Sequence, residues 1–387
     1  MKKILFFIAF LCSLSFNCLA MESNENLIPN STSGILMDVE SGKIIYSKNI
    51  DERVAIASMT KMMAQILILE KIEAGDIKWD DIITVSKNAA GMGGSQIYIA
   101  EGEKISIRDL MKGISMASGN DATVAMAEVI SGSENKFVKL MNKKASKLGL
   151  KNTNFVNSTG LDENNHYSSA RDMSIIAREL IMKHPTIFKF SSVYEDYLRE
   201  DTNNKFWLVN TNKLVRFYEG ADGLKTGHTD NAGYCLAATA KRNGLRLLAI
   251  VLGEKSAKVR NKETMDLLDY GFRNIKYKKL KKKGSFIKKI LIDKANYKYI
   301  NLILKEEAGV VDYNSSLGNK FTYDISLNKI KLPIEKGDVL GYLVIKNDNK
   351  KIKRVPLTSD KNIDKLSFSN ILFKDFNSLF SGNFAVL

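Results

Sequence analysis

Ser58-Met59-Thr60-Lys61 sets an amine three residues after a hydroxyl. At that spacing two side chains share one face of a helix, so the amine can reach the hydroxyl. Ala57 before the pair and the apolar run Met62 to Leu67 after it place the motif at the start of a helix expected over 59–73. A serine is a poor nucleophile until a base takes its proton, and a lysine desolvated near other cations can be that base. The serine amide at a helix N-terminus is also a donor for an oxyanion. The pattern alone is common: Ser133…Lys136, Ser285…Lys288 and Ser326…Lys329 repeat it.

Two further motifs could complete the chemistry. Ser118-Gly119-Asn120 sits in a turn between apolar helical stretches, where a hydroxyl and an amide could relay a proton and hold a carbonyl. Helix capping is the ordinary use of such residues, and Ser133-Glu134-Asn135 and Ser381-Gly382-Asn383 fit the pattern equally. Lys225-Thr226-Gly227 occurs once. A cation and a hydroxyl on a strand edge suit a carboxylate-ended substrate, and glycine there lets another backbone approach. The three motifs stand in order, their first members 60 and 107 positions apart. Both gaps leave room for a helical lobe.

The elements that must position them follow from patterning. Gly34 to Val39 and Lys43 to Tyr46 read as a hairpin around Glu40-Ser41-Gly42. Helices are expected within 106–130, over 134–148 and 170–183, and from Lys262 to Phe272. Strands Gly233 to Ala240 and Leu245 to Leu252 are joined by Arg242-Asn243-Gly244. Strands at both ends with helices between give a mixed α/β domain. Past Phe272 short alternating strands near 290–304, 320–325, 329–332 and 339–345 suggest a small all-β domain.

The N-terminus carries Lys2 and Lys3, an apolar run from Ile4 to Phe16 and an exit at Ala20, the form of a signal peptide cleaved near residue 20. Cys18 admits a lipoprotein site as a minor alternative. Cleavage would leave Cys235 as the sole cysteine, within an apolar run that reads as core, so no internal disulfide is expected. The net charge of +15 is uneven: from Arg273 onward there are 24 Lys and Arg against 11 Asp and Glu, whereas 21–272 is balanced. Outside the cytoplasm such a domain would face anionic lipid or wall polymer, not nucleic acid. A lysine-rich solvated surface explains the charge as well. In 362–387 a helical projection gathers Leu366, Leu372, Phe373, Phe376, Leu379, Phe380 and Phe384 on one side. No unbroken apolar run in this segment is long enough to span a bilayer, so it reads as an amphipathic helix lying on a membrane, with packing against the protein's own β domain as the alternative.

The ordered trio is that of penicillin-binding proteins and class A β-lactamases. The chain resembles the low-molecular-mass penicillin-binding proteins of the D-alanyl-D-alanine carboxypeptidase kind (serine peptidase family S11) over nearly its whole length past the signal. Gly94-Ser95-Gln96, Lys147-Leu148-Gly149-Leu150, Gly160-Leu161-Asp162, Tyr167 to Met173 and Asp222 to Thr229 carry the likeness beyond the trio. Ile56 departs from it, where many relatives have proline. The resemblance implies a transpeptidase/β-lactamase-like catalytic domain with an antiparallel sheet and helical lobe (21–272), a small β-sandwich domain (273–361) and an anchor (362–387). It implies that Ser58 attacks the penultimate D-alanine carbonyl of a peptidoglycan pentapeptide, Lys61 takes its proton and Ser118 passes a proton to the leaving D-alanine. Asn120 would hold the stem peptide, Lys225 tune the field, Thr226 and Arg260 contact the terminal carboxylate, and the amides of Ser58 and His228 form the oxyanion hole. β-Lactam antibiotics would acylate Ser58. The expected location is the outer, periplasmic face of the cytoplasmic membrane. No metal or cofactor is expected, since His166, His184 and His228 make no ligand spacing.

Two rivals remain open at this level. A β-lactamase needs a deacylating glutamate, and Glu200…Asn204 has the spacing but lies 82 residues past Ser118. A non-enzymatic wall-binding scaffold would not need an intact nucleophile, base and relay.

Overall fold

The computed structural model describes residues 26–200, 202–313, 317–318 and 320–366. The expected signal peptide, and 367–387 of the expected C-terminal helix, lie outside these residues. The described chain divides into two units, one of residues up to Arg242 with Arg246–Gly271, the other of Asn243–Leu245 with Phe272 onward.

The first unit opens on the expected hairpin, β1 (Ser33–Asp38) and β2 (Ile44–Lys48). A 3₁₀ turn at Ala57–Thr60 leads into α1 (Lys61–Glu73), whose residues Lys61 to Leu69 are all buried. Met62 to Leu69 is apolar on every side except at Gln65, which is why this helix runs through the middle of the lobe; Gln65 is satisfied by donating to Ser115 Oγ at 2.9 Å. The lobe continues through β3 (Ile82–Thr84), α2 (Lys87–Ala90), β4 (Lys104–Ser106) and α3 (Ile107–Lys112). A π turn at Gly113–Ala117 then ends on Ser118, and α4 (Asn120–Ser131) begins two residues later. In α5 (Glu134–Lys147) the buried residues Phe137, Met141 and Ala145 recur every fourth position. Ser133 caps that helix by accepting from the Lys136 amide, which accounts for one of the three decoy pairs. The lobe closes with α6 (Ala170–Lys183), α7 (Phe188–Ser191), the hairpin β5 (Glu195–Leu198) and β6 (Phe206–Val209), and α8 (Leu214–Phe217).

Three long strands complete the main sheet: β7 (Ala221–Thr229), β8 (Gly233–Arg242) and β9 (Leu245–Glu254). The order is β2-β1-β9-β8-β7, antiparallel throughout, so β7 is an edge. Asn243 and Gly244 both have positive φ, +48° and +89°, the conformation of the tight turn expected there. Side chains alternate between faces. Ile35, Cys235, Ala237, Leu248 and Ile250 face the helical lobe. Leu36 and Leu247 face α9 (Ala257–Asn274), where a Cβ on Gly271 would come within 2.5 Å of Leu247. Cys235 is a fully buried core thiol, pushed up to about 11 by burial. The closing helix thus begins five residues before the expected Lys262, which puts Arg260 on a helix.

Past Asn274 the regular elements of the second unit's described residues are all strands. Strands β10 (Ile275–Lys281) and β13 (Ala308–Tyr313) pair, and β11 (Phe286–Leu291), β12 (Tyr299–Leu304), β16 (Lys350–Ser359), β15 (Gly341–Asn347) and β14 (Phe321–Leu327) form the other sheet in that order. Ala308 and Val310 from the first share a core with Leu302, Leu343, Ile345, Val355 and Leu357 from the second. The expected strand at 329–332 is absent. Ile330 and Leu332 do turn inward, but only Ile334 finds a partner, bridging to Ile363. Residues 362–366 correct the expected helix boundary. They run extended against the β unit, with bridges Ile334–Ile363 and Ala295–Lys365 and a bond from the Leu366 amide to Lys294 O at 2.9 Å. Among the described residues no helix is long and apolar enough to cross a membrane.

Candidate active site

The 3₁₀ turn before α1 presents Ser58, half-buried, directly after Ala57, which sits in the left-handed region at φ +47°. A non-glycine residue there stores strain that neighbours must hold. Two glycines supply the room. A Cβ on Gly160 would lie 1.9 Å from Ala57 O, and one on Gly227 would lie 2.7 Å from Ile56 O. Gly227 therefore does allow the close backbone approach expected of it, with β7 packed along the nucleophile turn.

Lys61 opens α1 and is 0 % exposed. Its Nζ lies 2.8 Å from Ser58 Oγ, 2.7 Å from Asn120 Oδ1 and 2.6 Å from Thr159 O. Burial first, then the charge of Lys225, holds the amine well below the usual lysine range, with Asp121 pulling the other way. A neutral amine has two N–H donors and one lone pair. In that neutral form the two carbonyl oxygens would take the two donors, leaving the lone pair for the Ser58 O–H. Thr159 supplies a backbone atom, and no side-chain pattern announces it.

Asn120 is held on its other side. Its amide donates to Ser95 O at 2.7 Å and its Nδ2 to Gly93 O at 2.7 Å. Gly94, at φ +77°, leaves no space for a Cβ, which would fall 2.8 Å from Asn120 Nδ2. The next residue, Asp121, is buried and accepts from the amides of Ile97 and Ile99, fastening the same segment to the head of α4. Ser118, left-handed at φ +65°, is 4 % exposed, and its hydroxyl has no partner in the described residues. A buried hydroxyl without a partner calls for an explanation, and a proton relay that engages only with substrate is one.

On β7, Lys225 is 1 % exposed and donates to Thr226 O at 3.0 Å. Burial, then the guanidinium of Arg260, pushes it down to about 7. Arg260 is 5 % exposed and donates to Asn261 Oδ1 at 2.8 and 3.1 Å. Thr226 donates to Thr211 Oγ1 at 2.8 Å, a residue with no motif around it. His228 is exposed and stacks on Tyr234 with centroids 3.9 Å apart. Hydrogen bonds thus join Ser58, Lys61 and Asn120, and charge links Lys225 to both Lys61 and Arg260. Of the other histidines, His166 sits behind the nucleophile turn with Nε2 2.8 Å from Thr60 Oγ1, and burial lowers it to about 4; His184 pairs with Glu73. Glu200 is exposed and 3.6 Å from Lys205.

Residues 21–256 match the D-alanyl-D-alanine carboxypeptidase family, peptidase S11, and 276–365 match the C-terminal domain of penicillin-binding protein 5. D-alanyl-D-alanine carboxypeptidase DacF of Bacillus subtilis is 45% identical over 349 residues, 90% of each chain. The crystal structure of penicillin binding protein 5 from Haemophilus influenzae, at 33% identity, covers 87% of this chain and 98% of its own with a TM-score of 0.64. Penicillin-binding protein D2 of Listeria monocytogenes, in its ampicillin-bound form, is 33% identical and covers 64% and 100% with a TM-score of 0.58.

Proposed function

The chain belongs to the S11 family of D-alanyl-D-alanine carboxypeptidases, penicillin-binding peptidases, and on that premise we propose that Ser58 is its nucleophile and Lys61 its base. The observation that carries this reading is the Lys61 amine, buried and held by two carbonyls at 2.7 and 2.6 Å while it meets Ser58 Oγ at 2.8 Å. Ser58 Oγ bonds to the penultimate D-alanine carbonyl carbon as its proton passes to Lys61. The amides of Ser58 and His228 receive the oxyanion. The C–N bond then breaks, and the proton reaches the departing D-alanine nitrogen through Ser118. Water hydrolyses the acyl-enzyme by the same route. A β-lactam ring takes the place of the peptide bond and leaves Ser58 acylated.

Asn120 holds the stem peptide, and Lys225, Thr226 and Arg260 receive the terminal carboxylate. Release of free D-alanine from a pentapeptide tests the activity. A β-lactamase would instead turn over penicillin without releasing D-alanine, and a scaffold would do neither. Arg260 gives a second measurement. Charge-assisted bonds contribute about 1.5–3 kcal/mol, so Arg260→Ala is expected to lower kcat/KM roughly tenfold or more. A substrate with a C-terminal carboxamide should be poor for the wild type and barely changed by the substitution. Equal loss on both substrates removes Arg260 from the carboxylate site.

Export through the segment 1–20 and attachment to the outer face of the cytoplasmic membrane through 367–387 complete the proposal. Support comes from the one-sided apolar pattern that persists past Leu366 and from the lysine excess of the second domain, taken as 273–366. Truncation after Leu366, which spares the bridges at Ile363 and Lys365, is expected to release active enzyme from membranes. High salt alone should not release the intact chain, because apolar burial is not screened. If the truncated enzyme still sediments with membranes, the attachment lies elsewhere.

A further inference from the structure

Thr211 follows the β5–β6 hairpin and is fixed on both sides. Its amide donates to Met116 O at 3.0 Å, within the π turn that ends on Ser118. Its neighbour Asn210 is 1 % exposed, donates its Nδ2 to Ser191 O and Val193 O, and accepts from the Asn212 amide at 2.9 Å. The Thr211 side chain receives the Thr226 hydroxyl at 2.8 Å. One residue therefore ties the strand that carries Thr226 to the turn that carries Ser118.

We propose that Thr211 is a positioning residue for the carboxylate end of the substrate, acting through the Thr226 hydroxyl. This rests on the reading of Thr226 given above. Each hydroxyl has one donor and two acceptor sites, and its hydrogen rotates to suit. A carboxylate within reach is a better acceptor for the Thr226 proton than Thr211, since charge-assisted bonds are about twice as strong as neutral ones. When that proton turns to the carboxylate, the Thr211 O–H becomes the donor to Thr226 Oγ1, and the oxygen–oxygen contact survives the exchange. Thr226 thus keeps one χ1 well whether or not substrate is bound. Without the partner hydroxyl, only the intrinsic χ1 preference of a β-branched side chain on a strand directs its oxygen.

The test compares Thr211→Val, Thr211→Ala, Thr211→Ser and Thr226→Val in the full-length enzyme. Two peptides are used, one ending in D-alanyl-D-alanine and the same peptide as its carboxamide. Thr211→Val and Thr211→Ala are expected to lower kcat/KM on the carboxylate peptide about three- to tenfold, the span of one neutral hydrogen bond, chiefly through KM. The carboxamide should change less than about twofold on the same scale. Thr211→Ser should restore the rate, and Thr211→Val should add little in a Thr226→Val background. Equal loss on both peptides, failure of serine to restore, or full additivity with Thr226→Val overturns the role of Thr211. The reading of Thr226 still stands if Thr226→Val alone separates the two peptides. If Thr226→Val does not separate them, both assignments fall.

Discussion

Ser58→Ala is expected to abolish covalent labelling by penicillin and release of D-alanine while leaving the protein folded. Labelling should vanish rather than weaken, because no acyl bond can form without the oxygen. Folding should survive for a local reason. Ser58 is half-exposed, and the Lys61 amine keeps its bonds to Asn120 Oδ1 and Thr159 O when the hydroxyl is gone. One lost hydrogen bond costs about 0.5–1.5 kcal/mol, which lowers Tm by only a few degrees in a domain of this size, roughly 2–4 °C per kcal/mol. Intact-mass measurement after incubation with penicillin gives the answer directly. A persisting adduct would move the nucleophile to another serine. Ser133 is the least able of the decoys to take that role, because its hydroxyl already caps α5.

What could be read from the sequence, and what could not, divides along physical lines. The three motifs, the hairpin at β1 and β2 and the long strands β8 and β9 were legible because spacing, turn residues and apolar runs all point one way there. The start of α9 was not, because its buried face is built from Arg260, Glu263 and Thr264 before Leu267 and Leu268, so the apolar period begins late. β16 was hidden by composition. It lies between β12 and β15, yet reads as lysines followed by Pro356, and proline argues against a central strand. At 329–332 the alternation was real, but no neighbouring strand pairs with it. In the candidate site, Thr159 contributes a carbonyl and Thr211 a hydroxyl from the segment that follows the β5–β6 hairpin. Neither leaves a local pattern. Gly160 could be seen only as part of a family likeness, and its reason, contact with Ala57 O beside the nucleophile, exists only in three dimensions.

Lys61 should show its role in the pH dependence of acylation. The base is competent only when neutral. Burial and the Lys225 charge hold its pKa well below the usual lysine range, so the competent form is present above that pKa and is lost as pH falls through it. Lys225 acts in the opposite sense. It attracts the substrate carboxylate when charged, which is favoured below about 7 and lost as pH rises. The kcat/KM profile on a carboxylate-ended peptide is therefore expected to need Lys61 neutral and Lys225 charged together, falling towards acid as Lys61 takes up a proton and towards alkali as Lys225 loses one. Removing a positioned general base costs about 10²–10⁴ in rate, so Lys61→Met should slow acylation by roughly 10³ and erase the acid limb of the residual rate. Lys61→Arg separates the two ways a lysine could serve. Arginine keeps a cation beside Ser58 but cannot give up its proton. If the cation alone mattered, Lys61→Arg would remain active. Because a base needs a free lone pair at the Ser58 hydroxyl, which arginine does not offer, it is expected to be as slow as the methionine variant. An active arginine variant, or an acid limb that survives Lys61→Met unchanged, would take the base away from this residue.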